Sequence, residues 1–336
     1  MRAAILGLSG PTLTPDEAAF FREANPFGFI LFRRNVESPA QVRALTQALR
    51  EAVSRDAPIL IDQEGGRVQR MGPPHWPAYP PAARYDDPSR PIEERLALCR
   101  LAARLIAHDL AQVGIDVDCV PCLDVPVPGA HDVIGDRAYA REPVRVARFG
   151  RAAAEGLLDE GVLPVIKHIP GHGRAGVDSH LALPVVEASA AALEESDFPP
   201  FVALADMPMG MTAHVVYTAF DAERPATTSP RVIAEVIRGL IGFDGLLMSD
   251  DLGMHALAGD FASRTRDSLA AGCDVVLHCS GAMAEMEAVV AAAPALAGEP
   301  LRRARAALAL RERRAEPLDL VDARARLAAG LAPAGV

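Results

Sequence analysis

The chain is organised around the stretch Leu163-Pro-Val-Ile-Lys-His-Ile-Pro-Gly-His-Gly-Arg-Ala-Gly-Val-Asp-Ser-His180. An apolar run from Val162 to Ile166 begins it and is followed directly by a lysine and a histidine. Pro170, Gly171 and Gly173 then prevent a helix from continuing. The pattern predicts a buried strand that opens into a loop.

The loop after this strand carries His172, Asp178 and His180. Parallel α/β folds deliver their functional side chains from such strand ends. Lys167 at the strand end is the only lysine among the 34 basic residues. A compact ammonium suits a site that a planar guanidinium would not fit, which favours a functional role over a chance occurrence.

Apolar runs that alternate with amphipathic stretches indicate the fold. Eight such runs occur, at 3–8, 28–32, 59–62, 115–118 continuing toward 123, 162–167, 209–213, 245–249 and 274–277. Helices are predicted between them near 15–24, 39–54, 92–112, 143–160, 189–205, 230–239, 262–271 and 282–293. Eight such units, without a glycine-rich dinucleotide turn after the first run, predict an α/β fold of the single-domain (β/α)₈ TIM-barrel type rather than a doubly wound sheet. We expect one catalytic domain over 1–336, with C-terminal helices at about 300–331 packed outside the barrel.

Composition excludes several partners. The formal charge of −10 argues against nucleic acid, and no apolar run reaches the roughly 20 residues that span a bilayer. The first residues are a poor signal peptide, so we expect a soluble, cytoplasmic protein. Cys119 and Cys122 have the spacing of a redox or zinc half-site without a second pair, so we predict a structural role. The other three cysteines look like buried small hydrophobic residues: Cys99, Cys273 and Cys279.

The predicted barrel would gather polar strand-end residues on one face. They are Asn35, Asp62, Asp124, Lys167, His168, His214 and Asp250. The proline-rich loop 72–81 holds the only tryptophan, Trp76. It would either roof the site or form a rigid surface loop.

Two of these segments suggest acid–base and nucleophilic chemistry. Asp178 and His180 are two residues apart, so their side chains point to the same side of an extended chain. The carboxylate can then orient the imidazole as a general acid/base. The alternative is an exposed histidine beside an aspartate. Of the adjacent Asp250 and Asp251, one should point into the barrel, while the other caps a helix, orients the loop or faces solvent. An Asp250 nucleophile opposite His180 would suit retaining glycoside hydrolysis.

A second group of residues is suited to binding. Asp62 can accept hydrogen bonds from hydroxyl groups, Gly65 and Gly66 permit close backbone approach to a ligand, and Arg70 can act as a polar clamp. Arg137 adds a further loop guanidinium.

These motifs together resemble the single-domain bacterial β-N-acetylhexosaminidases of glycoside hydrolase family 3. The matching segments are Asp62-Gln-Glu-Gly-Gly-Arg-Val-Gln-Arg70, Ile134-Gly-Asp-Arg137, Lys167-His-Ile-Pro-Gly-His-Gly173 with Asp178-Ser-His180, and Ser249-Asp-Asp-Leu-Gly-Met254. The resemblance implies that Asp250 is the nucleophile and that His180, oriented by Asp178, is the acid/base. It further implies sugar contacts from Asp62, Arg70, Arg137, Lys167 and His168.

The resemblance also implies a substrate and a process. Such enzymes remove terminal N-acetylglucosamine from muropeptides, including 1,6-anhydro forms, during peptidoglycan recycling in the cytoplasm. It implies no cofactor, no metal and no membrane partner, and it leaves the oligomeric state open, with a monomer compatible.

Three alternatives stay open. A metal-dependent barrel hydrolase would use His168, His172, His180, His214 and Asp250 as ligands. A β-N-acetylglucosaminide phosphorylase on the same fold would replace water by inorganic phosphate. A sugar-binding module without activity is the third, although the presence of both Asp250 and the Asp178–His180 pair argues against it.

Overall fold

The computed structural model describes residues 1–179, 181–312 and 317–332. Eight parallel strands form a closed barrel in which neighbours in space are neighbours in the chain. They are β1 (Arg2–Leu6), β2 (Pro26–Leu31), β3 (Ile59–Ile61), β4 (Val117–Asp118), β5 (Leu163–Ile169), β6 (Met209–Thr212), β7 (Leu246–Asp251) and β8 (Val275–His278). Each overlaps one of the predicted runs, so the predicted (β/α)₈ fold is confirmed.

The strands are continuous apolar runs because side chains inside the barrel and side chains under the helices are both buried. All seven residues of β5 are buried, including Lys167. The surrounding helices are α1 (Pro15–Ala24), α2 (Pro39–Val53), α3 (Ile92–Ala111), α4 (Pro143–Asp159), α5 (Ala190–Ser196), α6 (Pro199–Ala203), α7 (Phe261–Ala271) and α8 (Met283–Ala292).

Two predicted helices differ from expectation. The segment predicted as one helix over 189–205 forms α5 and α6 separately, because Pro199 and Pro200 lack the N–H groups that would continue α5 and instead begin α6. The segment predicted near 230–239 forms a π-helix, Val232–Leu240. A predominantly apolar periodicity does not distinguish this form from an α-helix.

Two helices follow the last barrel unit, α9 (Gly298–Ala309) and α10 (Leu320–Leu331). Ala304 and Ala307 of α9 join the apolar core beneath β7, and α10 lies against α3 through Ala323 and Leu327. The predicted tail at 300–331 also includes residues 313–316, which lie outside the described residues. No helix in the described ranges has the length and apolar character needed to cross a bilayer.

Short strands outside the barrel shape its C-terminal end. Directly after β3, Gln63–Gly65 pairs antiparallel with Val68–Gln69 to form a small hairpin. A three-stranded sheet combines Val185–Val186, Val216–Tyr217 and Asp221–Pro225. Trp76 in the loop after the hairpin packs into the apolar core with 8% of its surface exposed, and its loop therefore does not roof the site through this side chain.

Candidate active site

A cavity opens at the C-terminal ends of the barrel strands and has a volume of about 180 Å³. Such a position is where TIM-barrel enzymes hold their active sites. Its walls include six residues singled out from the sequence, namely Asp62, Arg70, Arg137, Lys167, His168 and Asp250, together with Phe32, His172, Ser179, Asp251 and Cys279.

Lys167 is the centre of a buried ion-pair network in this cavity. Only 2% of its surface is exposed. Its Nζ lies 3.0 Å from Asp62 Oδ1 and 2.6 Å from Glu64 Oε1. The two carboxylates compensate the cost of burying the ammonium.

Two arginines extend the network on either side. Arg70 donates to Asp62 Oδ2 at 3.0 Å. Arg137 donates to both oxygens of Glu64, at 2.8 and 2.9 Å, which is the bidentate geometry that a guanidinium favours. Cations and carboxylates thus alternate in the order Arg70, Asp62, Lys167, Glu64 and Arg137. We call these five residues the sugar-side network, after the sugar contacts predicted from the sequence for four of them.

The sugar-side network keeps its members ionised. Burial alone would raise the pKa of both carboxyl groups, but Lys167 with Arg70 holds the pKa of Asp62 well below its usual range. Lys167 with Arg137 likewise lowers the pKa of Glu64 to about 2. Burial opposes the charge of Lys167, yet Asp62 and Glu64 raise its pKa above the ordinary value.

The hairpin after β3 positions three of these five residues. Its turn uses Gly65 and Gly66 at φ of 91° and 58°, which favour glycine. A side chain at Gly65 would collide with the carbonyl oxygen of Pro80, 2.3 Å from the position of its Cβ. The side chain of Gln63 closes the hairpin by accepting from the backbone N–H groups of Arg70 and Met71 at 2.9 and 3.0 Å.

His168 lies beside the network and is oriented by Asp124. Its Nδ1 is 2.7 Å from Asp124 Oδ2. Asp124 Oδ1 also accepts from the backbone N–H of His172 at 2.6 Å. Burial by itself would raise the pKa of Asp124, but His168 holds it well below its usual range, so the carboxylate fixes the imidazole through a charge-assisted bond.

The adjacent carboxylates at the end of β7 differ in their surroundings. Asp250 lines the cavity and accepts from the backbone N–H of Asp251 at 2.8 Å. Asp251 also reaches the cavity wall, but its Oδ1 accepts from the backbone N–H groups of Gly253 and Cys279, each at 3.0 Å. Asp251 therefore fixes its own loop to the end of β8, while Asp260 caps α7.

Of the acid–base pair predicted from the sequence, the structure describes Asp178 and not His180. Asp178 lies in the loop after β5, half-buried, and its backbone carbonyl accepts from the N–H groups of Leu181 and Ala182 at 2.9 and 3.1 Å. His180 lies outside the described residues. Its position relative to Asp178 and Asp250 stays a prediction.

Several predicted strand-end residues are structural. Asn35 is fully buried and donates to the carbonyl oxygens of Leu8 and Gly10. His214 has Thr227 Oγ1 at 2.7 Å from Nδ1 and the Asp251 carbonyl oxygen at 3.0 Å from Nε2, so both ring nitrogens are occupied by the chain itself. That arrangement does not favour the metal-hydrolase alternative, which needs His214 as a ligand.

Among the cysteines and acids, Cys279 and Glu64 differ from expectation. Cys119 and Cys122 are buried free thiols, as the structural interpretation requires, whereas Cys279 is partly exposed and lines the cavity instead of being fully buried. In the part of the chain that is described, one cluster has the donor spacing for a metal, Cys122 with Asp124 and His168. Glu64 was not predicted as a site residue, although its spacing of two from Asp62 gives both the same side of an extended chain.

Comparison with known proteins identifies the family of this chain. The model of the glycosyl hydrolase family 3 N terminal domain matches residues 15–307. A β-hexosaminidase of Alkalilimnicola ehrlichii is 42% identical over 284 residues, which cover 82% of this chain and 80% of that protein. A β-hexosaminidase of Methylococcus capsulatus is 41% identical over 277 residues, or 81% of each chain.

Solved structures extend the similarity over nearly the whole chain. NagZ from Neisseria gonorrhoeae, in complex with N-trifluoroacetyl-D-glucosamine, superposes with a TM-score of 0.86 at 29% identity, covering 98% of both chains. A glycoside hydrolase family 3 β-N-acetylglucosaminidase from Paenibacillus has a TM-score of 0.85 at 30% identity, covering 98% of this chain and 66% of that one. The chain therefore belongs to glycosyl hydrolase family 3, and it is a glycoside hydrolase.

Proposed function

We propose that this protein is a retaining β-N-acetylglucosaminidase that removes a terminal, non-reducing N-acetylglucosamine from peptidoglycan fragments, including 1,6-anhydro muropeptides. The observation that carries the proposal is that Asp250 lines the same cavity as four of the five residues of the sugar-side network, namely Asp62, Arg70, Lys167 and Arg137. A carboxylate nucleophile and a dense set of hydroxyl-binding groups then meet at one strand-end site. The relatives named β-hexosaminidase and β-N-acetylglucosaminidase support the same substrate class.

The sugar-side network supplies donors and acceptors for a pyranose ring. Asp62 carries lone pairs that accept from hydroxyl groups, while Lys167 and Arg137 donate. Because the charges already pair with one another, their geometry is fixed before a sugar arrives, which lowers the entropic cost of binding. His168, held by Asp124 through Nδ1, presents its Nε2 side as a further contact.

Asp250 is the nucleophile in this proposal. Its carboxylate oxygen attacks the anomeric carbon, the bond to the departing oxygen breaks, and that oxygen takes a proton from His180. Water then attacks the glycosyl–enzyme ester and gives a proton back to His180, which releases the sugar with retained configuration and regenerates Asp250. Asp178 orients the imidazole and stabilises its protonated form.

The acid–base assignment is tested through the leaving group. His180→Ala should impair substrates with poorly departing alcohols far more than activated aryl glycosides, which need little protonation. Asp178→Asn should show the same pattern more mildly. Equal losses on both classes of substrate would contradict general acid catalysis by His180.

The reaction type is tested with a chromogenic β-N-acetylglucosaminide. Hydrolysis at a rate that inorganic phosphate does not change, with free N-acetylglucosamine as product, supports the hydrolase. Formation of N-acetylglucosamine 1-phosphate would identify the phosphorylase instead. Release of N-acetylglucosamine from isolated 1,6-anhydro muropeptides then tests the natural substrate and, with fractionation of cells, the proposed cytoplasmic role in recycling.

A further inference from the structure

Asp118 is a buried carboxyl group that the mechanism above does not use. It is the last residue of β4 and has no exposed surface. Its Oδ1 accepts from the backbone N–H of Gln63 at 2.9 Å. Its Oδ2 is buried without a hydrogen-bond partner among the described residues. An ionised carboxylate in that position would leave half of its charge unsolvated.

The hydrogen bond accepted by the Asp118 carboxyl group connects it to the backbone of the sugar-side network. Gln63 lies between Asp62 and Glu64 in the chain, and its side chain holds the backbone of Arg70. Fixing the backbone of Gln63 therefore fixes three of the five network residues. β4 also lies between β3, which leads into the hairpin, and β5, which carries Lys167.

The charges around Asp118 come from both neighbouring strands. Lys167 projects from β5, and Asp62 and Glu64 follow β3; the adjacent Cys119 is a thiol whose pKa burial raises well above its usual value. Burial raises the pKa of Asp118 to about 8, and although the Gln63 N–H and Lys167 oppose this, Asp62 and Glu64 add to it. Asp118 is thus a neutral acid at pH 7.

We propose that Asp118 is a positioning residue of the sugar site, whose carboxyl group fixes the Gln63 hairpin and leaves the Lys167 ammonium paired with Asp62 and Glu64 and available to the sugar. Loss of the proton from Asp118 places a third carboxylate near one ammonium. The new charge competes with Asp62 and Glu64 for Lys167 and weakens sugar binding. This inference rests on the proposed function for its kinetic consequences, whereas the protonation state of Asp118 is independent of it.

The kinetic test compares Asp118→Asn with Asp118→Leu. Asparagine keeps the acceptor for the Gln63 N–H and stays neutral, so KM at pH 7 should remain within about twofold of wild type. Leucine has a similar volume but no acceptor, so KM should rise about tenfold or more at every pH while kcat changes less. In wild type KM should rise as the pH passes about 8, and in Asp118→Asn that rise should be absent.

Asp116→Asn is the matched control, because Asp116 lies two residues earlier at the opposite end of the barrel and should leave the pH profile of KM unchanged. The inference is overturned if Asp118→Asn loses affinity at pH 7 as much as Asp118→Leu, or if its alkaline rise in KM persists. Thermal unfolding of each variant identifies any that fail to fold.

Infrared difference spectroscopy between pH 7 and pH 9.5 tests the protonation state directly. The carbonyl band of a buried protonated carboxylic acid should disappear at alkaline pH in wild type and in Asp116→Asn, and it should be missing in Asp118→Asn. A wild-type protein without that band would refute the inference whatever the enzyme hydrolyses. An inactive wild type that shows the band would refute the proposed function but retain the neutral Asp118.

Discussion

The barrel carries an ion-pair cluster at each end, and the two clusters differ in composition and surroundings. At the C-terminal end, the sugar-side network is centred on a lysine and faces a cavity. At the N-terminal end, Asp116 accepts from Arg50 at 3.1 Å, from Arg311 at 2.5 Å and from the backbone N–H of Ile59 at 2.7 Å. Asp56, whose side chain is 70% exposed, pairs with both arginines there.

From this difference we expect the charges at the cavity to bind a substrate and those at the opposite end to hold the chain together. We call the sugar-side network the upper cluster, and the group at the N-terminal end, Arg50 with Asp56, Asp116 and Arg311, the lower cluster. The lower cluster joins the segment before β4 to α2 and to the short 3₁₀ helix Leu310–Glu312 after α9, so it connects elements that are distant in sequence. The Asp116 carboxylate accepts hydrogen bonds from two guanidinium groups and one backbone N–H group at the same time. In the sugar-side network, four of the five residues that pair with one another also line the cavity, so replacing one of those four should change ligand binding. Ligand binding should therefore depend on the upper cluster, whereas the lower cluster should contribute to stability alone.

The largest expected effect is from Asp250, which stands next to the sugar-side network. Asp250→Asn should lower kcat by about 10⁴-fold or more, because an amide is a poor nucleophile toward the anomeric carbon, while unfolding should change little. Asp251→Asn is the matched control and should cost less, since Asp251 acts through the loop backbone.

A fluorinated N-acetylglucosamine analogue that traps the glycosyl–enzyme identifies the nucleophile directly. Peptide mass mapping should find the label on Asp250. Label on Asp251, or reaction with inversion and no label, would remove Asp250 from its assigned role.

The second prediction concerns the free energy of unfolding, to which Glu64 of the upper cluster contributes. The pKa of Glu64 is lowered to about 2 in the folded protein, against about 4.3 in an unfolded chain. Its ionised form therefore stabilises the fold fully above about pH 5, and this contribution is lost as the pH falls toward 2. Glu64→Gln should be less stable than wild type by about 3 kcal/mol at pH 7, the size expected for a broken buried pair.

Denaturant unfolding of both proteins between pH 7 and pH 2.5 measures that difference. The gap should narrow on acidification, because below about pH 4.3 the unfolded chain binds a proton at Glu64, which the folded protein resists until about pH 2. A gap that stays constant with pH would mean that packing, not charge, accounts for the contribution of Glu64.

The two clusters also show how far sequence can predict this molecule. The eight strands were predictable because each is an apolar run between helical segments, and strand ends at one face follow from the barrel. Lys167, Asp62 and Asp250 could be placed near one another for that reason. The break between α5 and α6 was signalled by Pro199-Pro200, whereas the π-helix at Val232–Leu240 was not distinguishable by its pattern.

The pairing of charges between distant segments could not be predicted from the sequence. Glu64 and Arg137 are 73 residues apart, and their bidentate bond depends on how the loop after β4 folds back over the hairpin. From the sequence, Asp118 is simply the polar end of a strand, and nothing local indicates that one of its oxygens has no hydrogen-bond partner within the described ranges. Arg311 reads as one of many tail arginines on a solvated face, yet it reaches Asp116 across the barrel base. Contacts between distant segments decide these roles.

The third prediction asks whether the upper cluster requires a lysine. Lys167→Arg preserves the charge, but a guanidinium is larger and planar and does not fit between Asp62 and Glu64 at 3.0 and 2.6 Å. We expect kcat/KM to fall roughly tenfold to a hundredfold, mainly through KM. Steady-state kinetics on an aryl β-N-acetylglucosaminide measures this, and wild-type kcat/KM would exclude Lys167 as a sugar contact.

The smallest effect is expected at the lower cluster, from Arg311→Ala. Removing Arg311 takes one of three donors from Asp116, and Arg50 and the Ile59 N–H remain. We therefore expect a loss of only about 1 kcal/mol in the free energy of unfolding, less than for a buried pair left with an unpaired charge. Because the residue lies at the end of the barrel opposite the cavity, kcat and KM should stay at wild-type values.

Arg311→Lys refines the same test. A lysine keeps the charge, but its ammonium group cannot contact both Asp116 and Asp56 as the broader guanidinium does. The stability of Arg311→Lys should therefore fall between those of Arg311→Ala and wild type. Denaturant unfolding and steady-state kinetics on the three proteins compare the two ends of the barrel directly. If Arg311→Ala lowered kcat/KM without lowering stability, the lower cluster would be coupled to the site, and the division between binding charges and structural charges would be wrong.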